Sequence, residues 1–341
     1  MTDMKPPPTL DDVARMAGVS TATVSRCIND PQMVSDKTRV RVQDTIKSLG
    51  YTPNFAARSM AAKRTFTIGA IIPTMENAIF ARGLQAFQES LHSRGYTLLV
   101  SSSAYQADAE EEQIRTLVAR GADGLLLIGH DRDPAIYDYL ARQRVPVLVA
   151  WSYDKDVATP SIGFDNRSAM RALADQVIAL NHRHIGMISG VSRANDRARM
   201  RIAGVKDAMT AGGLDADDLT LIEVPYSFRH GTEAFTQMMQ QEPRPSVVFC
   251  GNDVLAVGAL RGAKQMGLRV PEDVSITGFD DIELAEVAQP ELTTVRVPHR
   301  KMGTRAAEEL IAMIEEKRTG VSEDLGAQIV TRQSVGPPKA P

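Results

Sequence analysis

Residues 9–26 read Thr-Leu-Asp-Asp-Val-Ala-Arg-Met-Ala-Gly-Val-Ser-Thr-Ala-Thr-Val-Ser-Arg. Ala14, Gly18 and Val24 have the spacing of a helix-turn-helix. Ala14 is small enough for two helices to cross closely, and Gly18 can take the positive φ of a tight turn. Val24 returns a β-branched side chain to the small core. Ser20 is a natural N-cap for the second helix, because its hydroxyl can accept a bond from an orphan backbone N–H. That helix, predicted over 21–29, presents Thr21, Ala22, Thr23, Ser25 and Arg26. Short polar side chains let a helix approach the floor of a major groove, and arginine can bond guanine O6 and N7. On spacing alone, an ordinary helical hairpin with a glycine turn is the alternative.

The segment continues with a third helix predicted over 36–50, capped by Asp36 and with Val40, Val42, Ile46 and Leu49 facing the core. Pro53-Asn54 ends it. Ala56–Ala62 is alanine-rich and helix-prone, yet too short to be stable alone. Residues 1–8, polar and proline-rich, read as a disordered tail.

Residues 1–64 resemble the DNA-binding headpiece of the lactose-repressor (LacI/GalR) family. The likeness runs through Thr9-Leu-Asp-Asp-Val-Ala, Ala17-Gly-Val-Ser, Thr23-Val-Ser-Arg, Asn29, Val34-Ser, Gly50-Tyr-Thr-Pro-Asn and Ala57-Arg-Ser-Met-Ala. Further on, Gly163-Phe-Asp-Asn and Asn181-His-Arg-His-Ile resemble the gluconate-utilisation repressors within it. The resemblance implies that Thr21, Ala22 and Arg26 read base edges. Thr9, Ser20, Thr23, Ser25 and Asn29 can bond phosphate, which positions without specifying. Met60 stands where most of the family carries a leucine that enters the minor groove, with Ala57 and Arg58 flanking it. Apolar wedges of that kind kink DNA; linker filler is the alternative for Met60. A helix at 56–62 that folds only when two copies pack in the groove would couple a lobe rotation to DNA binding.

The chain has 341 residues, 43% hydrophobic and 24% charged, enough for two or three units with sizeable cores. Its net charge of −3 is uneven. Residues 1–64 carry ten Lys/Arg against six Asp/Glu, and the remainder carries 29 against 36. A basic head on an acidic body suits a protein that meets phosphate at one end. The two cysteines, Cys27 and Cys250, form no metal-ligand spacing, and no apolar run reaches membrane-span length. A reduced, cytoplasmic protein with no metal or cofactor and no membrane partner is expected.

From Thr65 apolar strand runs alternate with helical stretches, the pattern of doubly wound parallel sheets. The expected fold is therefore α/β behind an all-α headpiece at 9–64 with its hinge helix at 56–62. The resemblance implies that residues 65–341 form an effector-binding and dimerisation body. The resemblance implies a bilobed, periplasmic-binding-protein-like body with crossovers near Gly163, Glu291–Val297 and Ala327. One lobe is about 65–163 plus 296–326, the other about 164–295 plus 327–335.

Strand ends facing a crevice are the default ligand site in open α/β sheets. Phe80 follows the first strand and is placed to stack on a ring, unless it is a core aromatic. Trp151, the only tryptophan, closes another strand. Asp165 either accepts ligand hydroxyls or caps the next helix. Asn195-Asp-Arg-Ala-Arg-Met-Arg201 enters a helix, and arginines at a helix N-terminus oppose the macrodipole preference. That placement makes sense if some of Arg197, Arg199 and Arg201 meet a carboxylate, phosphate or hydroxyl-rich ligand, the alternative being that Arg197 and Arg199 face solvent and only Arg201 enters the pocket. The resemblance makes Arg201 a ligand-contacting arginine, Tyr226 a pocket aromatic and Asp280 a hydroxyl-binding aspartate. Asn252-Asp253 ends a strand, with Asp253 a cap or a contact. The arginines favour a sugar acid or phosphorylated sugar as effector, with a neutral sugar or purine as alternatives. No Ser/His/Asp set, phosphate loop or dinucleotide fingerprint supports catalysis. The function expected is a ligand-gated transcriptional repressor, homodimeric on double-stranded operator DNA. A solute-binding receptor and a sugar-acting enzyme are the alternatives.

Overall fold

The computed structural model describes residues 6–52, 64–76 and 79–339. The chain divides into two compact units, Met1–Thr65 and Phe66–Pro341.

In the first unit, α1 (Leu10–Ala17) is opened by a capping box. The Asp12 N–H donates to Thr9 Oγ1, and the Thr9 N–H donates to the Asp12 carboxylate. Gly18 closes it at φ 63°, in the left-handed region. Ser20 caps α2 (Thr21–Asn29) by accepting from the Thr23 N–H at 3.2 Å. Val13, Ala14, Ala17, Val24, Cys27 and Val42 form the mini-core. Two details of α3 (Asp36–Leu49) differ from expectation. Ser35 occupies the cap position and Asp36 is the first helical residue, paired with Arg39 at 2.7 Å. Val40 is 53% exposed, because a residue two positions from buried Val42 lies almost opposite it on a 3.6-residue helix. The helix expected at 56–62, with Ala57, Arg58 and Met60, lies outside the described residues.

The second unit runs β1 (Thr67–Ile72), α4 (Ala81–Ser93), β2 (Thr97–Ser102), α5 (Ala107–Ala119), β3 (Gly124–Ile128), α6 (Pro134–Gln143), β4 (Val147–Ala150) and β5 (Ser161–Gly163). It continues α7 (Asn166–Ile178), β6 (Ile185–Gly190), α8 (Asp196–Ala211), β7 (Thr220–Val224), α9 (Phe228–Met238), β8 (Val247–Cys250), α10 (Asp253–Gln265) and β9 (Ser275–Thr277). Then come α11 (Glu283–Val287), β10 (Thr294–Arg296), α12 (His299–Glu316), β11 (Glu323–Asp324) and β12 (Gln328–Val330). Among the described residues the first lobe holds a six-stranded parallel sheet ordered β11-β5-β4-β3-β1-β2. The second holds a four-stranded parallel sheet ordered β7-β6-β8-β9. In both, the order reverses beside the first strand of the lobe, which opens a crevice at the carboxyl ends of the strands.

The central strands are buried on both faces, so they read as continuous apolar runs such as Gly124-Leu-Leu-Leu-Ile. The chain leaves the first lobe after β5, returns through β10, and crosses again between β11 and β12. β10 and β12 pair antiparallel as a separate two-stranded sheet. Helix α12 lies on α4, and glycines let them touch: a Cβ on Gly303 would sit 2.0 Å from the Gly83 carbonyl. A Cβ on Gly83 would strike the Trp151 ring at 2.5 Å. This packing fixes Trp151 from behind. Gly303→Ala is therefore expected to destabilise the unit by about 1–3 kcal/mol through overpacking. The urea midpoint would fall with an unchanged slope.

Candidate functional site: a crevice between two sheets

Phe80 and Trp151 of the first lobe and Asn195, Arg197, Arg201, Tyr226, Asn252 and Asp280 of the second all line one cavity. Their common origin is topological, because they follow β1, β4, β6, β7, β8 and β9 at the carboxyl ends of parallel strands. Phe80 and Trp151 meet edge to face, 5.3 Å between centroids, and Trp151 is only 2% exposed. The Trp151 indole N–H donates to His299 Nδ1 at 3.3 Å, and His299 Nε2 lies 3.2 Å from the Asp280 carbonyl. That arrangement suits a neutral ring with its proton on Nε2. Burial agrees, pushing the imidazole down to about 4.

Arg201 is buried and fully engaged. It donates to Asn166 Oδ1 at 2.9 Å and to the Gly251 carbonyl at 2.6 Å, and it faces Asp280 Oδ1 at 3.5 Å. Its guanidinium also lies 3.7 Å over the Phe279 ring. Arg197 is likewise taken up, by the Ile128 carbonyl and by Asp196, each at 3.0 Å. Asp196 in turn accepts from the His130 N–H at 2.8 Å and the Ser152 hydroxyl at 3.1 Å. Burial alone would raise the Asp196 carboxyl, but Arg197 and these donors overcome it and hold the group below its ordinary value. The start of α8 is thus bonded across to the first lobe. Gly129 permits the approach, since a Cβ there would lie 1.9 Å from Arg197.

Two buried atoms of the lining stand without a hydrogen-bond partner among the described residues: Asp280 Oδ2 and Asn252 Nδ2. Buried polar atoms left open at a cavity are the natural hydrogen-bonding points for a ligand. Burial pushes the Asp280 carboxyl up to about 6, against the pull of Arg201 and Arg197.

Three expectations need correction. Asp165 is not in the cavity lining; its carboxylate is taken up capping α7, accepting from the Arg167 and Ser168 N–H groups. Its neighbour Asn166 is the buried residue that reaches Arg201. Arg199, two residues on from Arg197 and so almost opposite it on α8, turns outward to Asp131 at 2.6 Å. Asp253 is neither open to the cavity nor the cap, a role Asn252 fills. It is buried beneath, accepting from the Thr294 hydroxyl at 2.6 Å and the Ile282 N–H at 2.8 Å. Asp280 and Asp281 point apart, Asp281 pairing with Arg296 and Arg332. Tyr105, after β2, lines the cavity and was not singled out from the sequence. The strand-end rule that selected Phe80 would have found it.

Burial, reinforced by Asp280, pushes the Asp253 carboxyl up to about 8. An aspartate whose folded value is raised holds its proton more tightly folded than unfolded. Its stabilisation is full below the unfolded value and is lost as pH rises through the folded one. Asn at 253 mimics the protonated form. Asp253→Asn is therefore expected to gain stability relative to wild type as pH rises from about 5 to about 9 in urea titrations. A gain in the opposite direction would refute the burial argument.

In the first unit the outward face of α2 carries exposed Ala22, Arg26 and Asn29 and half-buried Thr21, Thr23 and Ser25. Ser20 and Thr23 hydroxyls lie 2.9 Å apart, and Asn29 donates to Ser25 at 3.3 Å. The Thr9 hydroxyl donates to Asp12 at 2.7 Å. Arg26 makes no ion pair with any described residue. Among the described residues no group of three His, Cys, Asp or Glu is placed to hold a metal, and no helix is long and apolar enough to cross a membrane.

Residues 9–54 match the model of bacterial regulatory proteins of the lacI family, and residues 174–335 match a periplasmic binding protein-like domain. The repressor PurR of Proteus mirabilis is 34% identical over 331 residues, covering 96% of each chain. The regulator GntR of Pseudomonas aeruginosa is 31% identical over 329 residues, covering 96% of this chain and 95% of its own. The structure of the lac repressor dimer bound to operator and the anti-inducer ONPF superposes with a TM-score of 0.85. It is 28% identical and covers 96% of this chain and 99% of that one.

Proposed function

The chain belongs to the lacI family of bacterial regulatory proteins, and from that membership we infer a transcriptional repressor whose operator affinity is set by a small molecule held between its lobes. It is a DNA-binding regulator, as its relatives are, and not an enzyme. The observation that carries the ligand-gated part is the cavity at the strand ends. It offers ring faces from Phe80, Trp151 and Tyr226, plus one open acceptor on Asp280 and one open donor on Asn252.

The charge balance bears on the effector. Arg201 and Arg197 each have a carboxylate partner, Asp280 and Asp196. Neither arginine offers an uncommitted charge, whereas Asp280 Oδ2 offers an open acceptor. This supports an uncharged, hydroxyl-bearing ring over the sugar acid or phosphorylated sugar that the bare arginine count favoured. A sugar acid would have to separate one of the two ion pairs. A thermal-shift series of neutral sugars, sugar acids, sugar phosphates and nucleobases distinguishes them. A true effector at about 100 times its Kd stabilises by about 2.7 kcal/mol.

The operator is a pseudo-palindrome and the working form is a homodimer in the cytoplasm. One headpiece offers few base contacts, and two-fold operators mirror two-fold proteins. The lac repressor structure is a dimer on its operator. Light scattering of the complex is expected to give two chains per operator, and one chain per operator would refute this.

A further inference from the structure

The inner cavity, against Trp151, Arg201, Asn252 and Asp280, has about 20 Å³ of room, the space of a single water. A ring-sized ligand does not fit between the lobes at this separation, although Asp280 Oδ2 and Asn252 Nδ2 offer it an open acceptor and an open donor. The separation is set by the first turn of α8, which is seated on the end of β3. Three of its residues bond across to the first lobe. The Asp196 carboxylate accepts from the His130 N–H at 2.8 Å and from the Ser152 hydroxyl at 3.1 Å. Arg197 donates to the Ile128 carbonyl at 3.0 Å, and Arg199 donates to Asp131 at 2.6 Å.

The seat has no slack. Gly129 stands at its centre, at φ 73°, and a Cβ there would overlap both the Arg197 guanidinium and the Asp196 carboxylate. Yet every bond in it is polar and can be exchanged for a bond to water when the lobes part. The ion pair of Asp196 with Arg197 lies within α8 and travels with it. Parting the lobes therefore strands neither charge. The seat is tight when closed and costs little to release, which are the properties of a clasp.

We propose that Asp196, Arg197 and Arg199 form a clasp that holds the crevice too narrow for a ring, and that the effector is bound by an opened form in which the clasp is released. A ligand that binds the opened form better draws the population toward it. Its apparent affinity is lowered by the small fraction of molecules that are open, so loosening the clasp tightens effector binding. The clasp stands on the geometry of α8 and β3; its bearing on the effector rests on the crevice being the effector site.

Trp151, the only tryptophan of the chain, is buried and lines the inner cavity, so acrylamide quenching of its fluorescence reads whether the lobes part. Two variants of the full chain loosen the clasp without leaving a hole. Gly129→Ala drives a methyl group between β3 and α8. Asp196→Asn keeps the shape and removes the charge. In each, the Stern–Volmer constant is expected to rise roughly twofold or more over wild type. Gly213 has the same φ of 73°, with nothing within 4 Å of its Cβ position. Gly213→Ala thus imposes the same backbone strain without a wedge, and it is expected to match wild type. Far-UV circular dichroism of wild-type strength shows that a variant is folded, and if one clasp variant fails to fold the other decides. Wild-type quenching in a folded clasp variant overturns the clasp. A rise in Gly213→Ala as large as that in Gly129→Ala overturns it too. The thermal-shift series on the same proteins separates this from the effector reading. Raised quenching with no stabilising ligand keeps the clasp and sinks the effector site. Wild-type quenching with a stabilising ligand sinks the clasp alone.

Discussion

Arg201→Ala is expected to destabilise the body by about 3–5 kcal/mol, the cost of leaving a buried carboxylate without its partner. The side chain is buried and its guanidinium meets Asn166, the Gly251 carbonyl, Asp280 and the Phe279 face. Its loss strands Asp280, which is 1% exposed, and leaves the Gly251 carbonyl and Asn166 Oδ1 without this donor. Lysine keeps the charge but not the planar fork, so Arg201→Lys should recover part of the loss. Urea denaturation monitored by Trp151 fluorescence measures both. The same substitution should abolish the effector response, because Arg201 holds in place the carboxylate that offers the open acceptor. Operator binding should survive at temperatures where the variant stays folded, since the first unit has its own core of Val13, Ala14, Val24 and Val42. A variant of wild-type stability that still responds to its effector would show that Arg201 has no such role.

Arg26→Ala is expected to cost discrimination more than general affinity. Arg26 is exposed on α2 and free of ion pairs with the described residues, while the neighbouring face is built of short side chains. That combination lets a long bidentate donor reach a base edge while the helix backbone stays close to the groove. The expected loss is about 1–3 kcal/mol at one base pair of each half-site, roughly 5- to 150-fold. Binding to unrelated DNA should change little, and the salt dependence should stay nearly the same. A uniform loss across all sequences, with a shallower salt slope, would make Arg26 a phosphate contact instead.

Why some features were legible before the structure, and others not, follows from how local their causes are. Thr9, Gly18 and Ser20 act on their own helix ends, through a capping box, a left-handed turn and an N-cap, so residue type and spacing suffice to place them. The strand-end rule likewise gathers Phe80, Trp151, Arg201 and Asp280, because topology alone brings the carboxyl ends of parallel strands to one crevice. A side chain with two local uses is not assigned by its residue type. Asp165 could cap or contact, and only the direction of α7 assigns it to capping. Val40 and Val42 are equally apolar, but helical phase puts them on opposite faces. The pairing of Arg197 with Asp196 and of Arg201 with Asp280 was not legible either. An adjacent aspartate gives no direction, and a partner 79 residues away leaves no periodic signal. That is why counting arginines favoured an anionic ligand while their actual partners favour a neutral one.

Selection of genomic DNA fragments by the purified full chain bears most directly on the claim that this is a sequence-specific repressor. The account predicts enrichment of one pseudo-palindromic sequence with two half-sites, bound far more tightly than bulk DNA at the same salt concentration. Its occupancy should change when the ligand found by thermal shift is added. Fragments enriched without any common sequence, or held with one affinity regardless of sequence, would contradict it.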